Sequence, residues 1–274
     1  MPALKTDWPP ESYVASNYGM GSKETLREFL VAHTVPKGSA CTHMSLSAKE
    51  CYFISEDDVP KFHELYVESI NDEEKLHIVE KSTDISPLRV DFDFAYSDLK
   101  LKKHLHTREQ VCAFTKAYIT EISQYLQIPD KVEVFIMEKH RPTKSPKGDK
   151  MKSGIHIVVP SICTNTFVEQ RARRNLLKTT EEIFKDLPLI EKDWKKVYDE
   201  AVAKRSSAWQ VYGSRKNDHD SKPYMISYIV EYSEGETSIV EDVPDLDVSL
   251  VKKLSVSRDD SDETPMTEAG KTIY

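Results

Sequence analysis

The chain has 274 residues, 39% hydrophobic and 31% charged, with 38 Lys and Arg against 46 Asp and Glu. That length and apolar fraction suit one large domain or two modest ones with a real core, and they exclude a wholly disordered chain. No stretch offers the roughly 18 apolar residues of a membrane span, and the opening MPALKTDWPPESY lacks the order of a secretory leader, so a soluble intracellular protein is expected.

From Glu231 onward, twelve acids face four bases, which accounts for the whole net charge of −8. The body before it is neutral, and its cations cluster: Arg141, Lys144, Lys147, Lys150 and Lys152; Arg171, Arg173, Arg174 and Lys178; then Lys204, Arg205, Arg215 and Lys216. Positive patches on an acidic protein follow, although solvated helix faces would carry the same charges. Cys41, Cys51, Cys112 and Cys163 lie far apart without a C-x-x-C, as reduced core thiols do; Cys41, His43 and Cys51 lack a fourth ligand for zinc.

Residues 1–40 read as an arm and a helix capped by Ser22, with Leu26, Phe29 and Leu30 on one face. A short strand at 51–55, a helix from Asp57 to Ile70 and a strand at 77–80 follow. The segment 88–95, LRVDFDFA, alternates: Val90, Phe92 and Phe94 point one way and Arg89, Asp91 and Asp93 the other, as in a central strand with a carboxylate face. Thr107-x-x-Gln110 opens a capped helix. Strands at 132–137 and 153–159 flank a basic hairpin loop, and Pro160 closes the second. Thr166-x-x-Glu169 opens another capped helix, a further helix spans 193–204, and strands occupy 209–212 and 224–232. Residues 233–274 read as an acidic, largely disordered tail or linker. The interleaving lacks a regular βαβ rhythm, which predicts an α+β domain over 41–232 with a mixed or antiparallel sheet and flanking helices.

Two carboxylates at i and i+2 of a strand have Cα atoms about 6.7 Å apart on one face and can converge on divalent cations. Hard oxygen ligands suit Mg²⁺ or Mn²⁺, and two such ions activate an attacking hydroxyl and stabilise leaving pyrophosphate. A solvent-facing edge strand would show the same spacing. His156 lies between apolar residues, where a core histidine is ordinary. Gly154 and Lys152 nearby add a close backbone approach and a cation that could grip a triphosphate, and Gly213-Ser214-Arg215-Lys216 offers a second cradle. Gly270-Lys271-Thr272 is no Walker loop, because position 265 is Pro. Gly213-Ser214 follows the carboxylates, the reverse of the order in polymerase-beta-type nucleotidyltransferases. His104-x-His106 sits in a Lys-rich turn rather than an apolar strand, unlike the paired histidines of rolling-circle endonucleases.

Three elements in order, RVDFDF at 89–94, KSGIHIVVP at 152–160 and YDEAVAKRSSAWQVYGSRK at 198–216, resemble the motifs of the archaeo-eukaryotic primase superfamily. The similarity covers about residues 40–232 and points to the primase-polymerase branch, including the N-terminal domains of primase-helicases from large DNA viruses. The resemblance implies an archaeo-eukaryotic primase fold whose sheet bears the carboxylates. It also implies Asp91, Asp93 and Asp199 as catalytic ligands of two Mg²⁺ or Mn²⁺ ions. Asp199 is singled out by the resemblance alone. His156 with Lys152, and Ser153 or Gly154, would contact the NTP or dNTP, as would Arg215 and Lys216. Here Ser153 stands one place from the family's usual serine, and Gln210 replaces a frequent Arg, for which Arg205 could compensate.

The function so implied is DNA-directed priming and extension on a single-stranded DNA template by nucleotidyl transfer. Arg141, Lys144, Lys147, Arg171 and Arg174 are the candidates for template contact, and a helicase downstream of the acidic tail is a further expected partner. A repair-type polymerase or terminal transferase without priming would use the same residues. A non-catalytic nucleic-acid-binding module would share the fold.

Overall fold

The computed structural model describes residues 24–217 and 221–273. The chain forms α1 (Leu26–Ala32), β1 (Thr34–Val35), β2 (His43–Ser45), β3 (Cys51–Tyr52), α2 (Val59–Asn71), β4 (Ile78–Glu80) and β5 (Ser86–Phe92). Next come β6 (Ala95–Tyr96), α3 (Arg108–Ser123), β7 (Lys131–Glu138), β8 (Thr143–Lys144), β9 (Met151–Lys152), β10 (Ile155–Thr164) and α4 (Thr166–Phe184). The last third holds α5 (Trp194–Val197), α6 (Glu200–Ala203), β11 (Trp209–Gln210), β12 (Met225–Ser233), β13 (Glu236–Val240), α7 (Val248–Leu254) and α8 (Glu268–Ile273). This is an α+β fold with antiparallel sheets. Among the described residues, no helix is long and apolar enough to cross a membrane.

The main sheet runs β13-β12-β7-β10-β5. Leu88, Val90 and Phe92 of β5 pack with Val111, Phe114, Tyr118 and Ile122 of α3 and with Ala172, Leu176 and Phe184 of α4, so alternation on the strand meets helical periodicity across one core. The second sheet, β1-β3-β2-β4-β11, packs against α1, α2 and α7 through Phe29, Phe62, Tyr66, Ile78 and Val251. A third, β6-β9-β8, pairs the folded tip of the β7–β10 hairpin with the segment that follows β5.

Five expectations need correction. β5 ends the main sheet rather than lying in its centre, but its outer edge is covered: Phe92 bridges to Tyr198, and the Asp93 and Asp199 amides donate to the Val197 and Asp91 carbonyls at 2.8 and 2.9 Å. That pairing breaks the helix expected over 193–204 into α5 and α6, with Tyr198 extended between them. β10 runs through Pro160 to Thr164, because a bulge between Val159 and Cys163 accommodates a residue without an amide donor. The N-cap of α4 is Asn165 rather than the first residue of a Thr166–Glu169 box, and Glu169 is instead buried against Arg205. The acidic C-terminal segment is folded: Leu250, Val251, Leu254 and Val256 are buried, and the Thr264 amide donates to the Cys163 carbonyl. A few apolar residues at helical spacing outweigh an acidic composition there. Thr25 caps α1 with Glu28 in a capping box, while Ser22 and most of the expected arm lie outside the described residues.

Candidate active site

Strand pleating puts Asp91 and Asp93 on one face at the end of β5, and antiparallel register places Asp91 opposite His156 of β10. The extended break at 198–199 brings in the third acid. Asp199 caps α6, accepting from the Ala201 amide, while its own amide is bound to Asp91. One carboxylate oxygen from each of Asp91, Asp93 and Asp199 lies within 4.8 Å of the others. Arg173 of α4 holds the break from behind: Nε and Nη2 donate to the Tyr198 carbonyl at 3.0 and 2.6 Å, and Nη2 also donates to Lys195 at 2.6 Å.

Asp91 Oδ1 is buried with no hydrogen-bond partner among the described residues. Burial, and after it the Asp93 charge, push the Asp91 carboxyl up to about 8. An orphaned oxygen amid repelling carboxylates is what a divalent cation would relieve, and an all-oxygen set fits Mg²⁺ or Mn²⁺.

Two lysines face the trio. Lys152 Nζ is 3.6 Å from Asp93, with both side chains exposed, and the Lys216 charge acts on both Asp91 and His156. His156 is 5% exposed, stacks on Tyr224 with centroids 3.6 Å apart, and packs against Trp209 at 4.4 Å. Burial, then Lys216, hold its pKa well below the usual imidazole value, and the neutral ring sits with Nε2 3.7 Å from Asp91 Oδ2, beyond hydrogen-bond range. Gly154 has a steric cause: a Cβ there would meet Tyr224 Oη at 2.6 Å and the Phe92 carbonyl at 2.7 Å.

The turn at 213–216 is fixed by the second sheet. Ser214 Oγ bonds Tyr66 Oη at 2.9 Å and accepts from the Ile78 amide, while the Arg215 amide donates to Leu76 and Gln210 Nε2 donates to the Ser214 carbonyl. Lys216 is thereby presented at the carboxylates, and Arg215 stays partly buried on the same turn.

Two further placements differ from expectation. Ser153 is buried with its hydroxyl on His104 Nδ1 at 2.6 Å, so it does not reach round toward a phosphate. Arg205 cannot replace the missing Arg at 210, because its guanidinium is committed to Glu169 and to the carbonyls of Thr83, Asp84 and Thr164. Among the template candidates, Arg141, Lys144 and Lys147 are exposed on the hairpin tip, which joins the site through β9 and Lys152. Arg174 is exposed on α4, whereas Arg171 lies over the Tyr125 ring.

Sequence reasoning missed Arg173, Tyr66 and Tyr224. Arg173 had a signal, since it follows Glu169 by four residues on the buried stripe of α4. Tyr66 and Tyr224 reach the site only through long-range packing.

Residues 42–230 match the family model described as the C962R protein N-terminal AEP domain, AEP standing for archaeo-eukaryotic primase. The match spans more than two thirds of the chain and contains all the residues discussed above as ligands or phosphate contacts. No curated protein matches the chain.

Proposed function

We propose that this chain, which belongs to the archaeo-eukaryotic primase family of the C962R protein N-terminal domain, makes and extends primers on single-stranded DNA. The family is one of primase/polymerase-type nucleotidyltransferases. The observation that most supports the finer reading is the convergence of Asp91, Asp93 and Asp199 from two segments joined by backbone bonds.

The three aspartates would hold two Mg²⁺ or Mn²⁺ ions. Bound there, the ions supply activation of a 3′-hydroxyl and charge neutralisation at the α-phosphate and pyrophosphate. Lys152 and Lys216 would grip the phosphates of an incoming NTP or dNTP as point charges, with Arg215 beside Lys216. His156, neutral and buried against Tyr224 and Trp209, would offer its N–H rather than a charge, and its packing fixes that donor in place. Exposed Arg141, Lys144, Lys147 and Arg174 would track the template backbone. Holding two nucleotides before any product exists distinguishes priming from extension.

The test is dinucleotide formation and primer extension on an unprimed single-stranded circle, with NTPs and with dNTPs, in Mg²⁺ and in Mn²⁺. Dinucleotides that disappear in the Asp91→Asn/Asp93→Asn variant support the proposal. Extension without dinucleotides reduces it to a primer-extending polymerase, and inactivity of the wild type under all conditions contradicts it.

A further inference from the structure

The turn before α3 brings His104 and His106 to Glu138 at the end of β7, a set that shares no residue with the aspartate trio. One ligand atom from each of these three side chains lies within 4.8 Å of the others, and the two ring centroids are 5.3 Å apart. Both rings are already oriented through one nitrogen. His104 Nε2–H donates to the Lys139 carbonyl at 2.8 Å, which leaves Nδ1 of the neutral ring as a lone pair accepting the Ser153 hydroxyl. His106 pairs through Nε2 with Glu138 Oε1, and its Nδ1 is buried without a partner among the described residues. His104, fixed through one nitrogen by a carbonyl with the other presented as a lone pair, is held as metal-bound histidines are, and His106 Nε2 and Glu138 Oε1 beside it are the two remaining donors.

We infer that His104, His106 and Glu138 form a binding site for one divalent transition-metal ion of the Zn²⁺ type, separate from the aspartate site. Two imidazoles and one carboxylate select a borderline cation such as Zn²⁺ or Co²⁺, whereas three carboxylates select Mg²⁺ or Mn²⁺. The ion joins the turn before α3 to the end of β7. Because Glu138 pairs with Ile155 in the sheet, it also reaches the entrance of β10, next to Gly154 and His156, and in taking His104 Nδ1 it releases the Ser153 hydroxyl. Its role is to stiffen the backbone beside the proposed phosphate contacts. The inference does not depend on nucleotidyl transfer.

The full-length chain, stripped with a chelator, is titrated with Co²⁺ in excess Mg²⁺ and followed by visible absorption. One equivalent of Co²⁺ should give d–d bands in the wild type and equally in the Asp91→Asn/Asp93→Asn/Asp199→Asn variant, and Zn²⁺ should bleach them. Glu138→Gln and His104→Gln should each weaken Co²⁺ binding at least about tenfold. No bands in the wild type would overturn the inference, as would bands lost only in the aspartate variant or kept at full affinity in both Glu138→Gln and His104→Gln. If a His104 or Glu138 variant fails to fold, the wild-type stoichiometry and the aspartate variant alone decide the matter.

Discussion

In the sheet β13-β12-β7-β10-β5, the groups that face the site are placed by main-chain bonds: Asp91 by its register with His156, and Asp199 by an amide bond to the strand itself. In the sheet β1-β3-β2-β4-β11, the turn carrying Lys216 depends largely on side chains, with Ser214 held by Tyr66 and the Arg215 carbonyl bonded to His77 Nδ1. Main-chain placement leaves the carboxylates interchangeable with isosteres at little cost in fold. Side-chain placement makes the turn proposed to hold phosphates sensitive to changes several residues from Lys216.

That contrast sets the size of each expected effect. Replacing Asp199 with Asn should reduce nucleotidyl transfer by at least about 10²–10³-fold while circular dichroism stays native, because the backbone bonds survive. In chelator near neutral pH, Asp91→Asn should raise the melting temperature, since burial and the Asp93 charge force the folded chain to protonate a carboxyl that the unfolded chain leaves ionised. An inactive Asp199→Asn with collapsed circular dichroism would contradict main-chain placement.

Arg173→Met should lower transfer by about 10–100-fold and raise the Mn²⁺ concentration needed for half-maximal rate, because the break at 198–199 loses its clamp. Partial rescue by excess Mn²⁺ separates loss of ligand position from general unfolding. On the other sheet, Ser214→Ala should destabilise by about 1–3 kcal/mol through the orphaned Ile78 amide and raise KM for nucleotide several-fold, with kcat nearly unchanged. An equal fall in kcat would show that the two sheets do not divide the work this way.

The smallest effect concerns pH. Burial lowers the His63 pKa from 6.5 to about 4, and Glu80, His43, Lys252 and Arg258 are the charged or titratable groups around it. Below pH 6.5 the unfolded chain takes up a proton that the folded chain refuses, so the melting temperature should fall as pH drops toward about 4 and level off below it. His63→Gln should flatten that slope.

The carboxylate strand was legible because alternation is local: LRVDFDFA shows which side chains share a face without knowledge of the neighbours. Helices α3 and α4 were legible through their periodicity, although the cap of α4 was misplaced because Glu169 answers Arg205, 36 residues away. Asp199 was out of reach of pattern. A helix over 193–204 is the sound local reading, and only pairing with a strand a hundred residues earlier breaks it. The motif resemblance supplied what periodicity could not. The His104–His106 pair was set aside for its Lys-rich setting, and nothing local shows that the end of β7 brings Glu138 beside it.

The most direct test of the central claim is Mn²⁺ binding followed by electron paramagnetic resonance, with a nonhydrolysable nucleotide present and Zn²⁺ included to fill the histidine cluster. The wild type should hold two Mn²⁺ ions per chain that the Asp91→Asn/Asp93→Asn/Asp199→Asn variant lacks. Equal Mn²⁺ binding by the two proteins would contradict it.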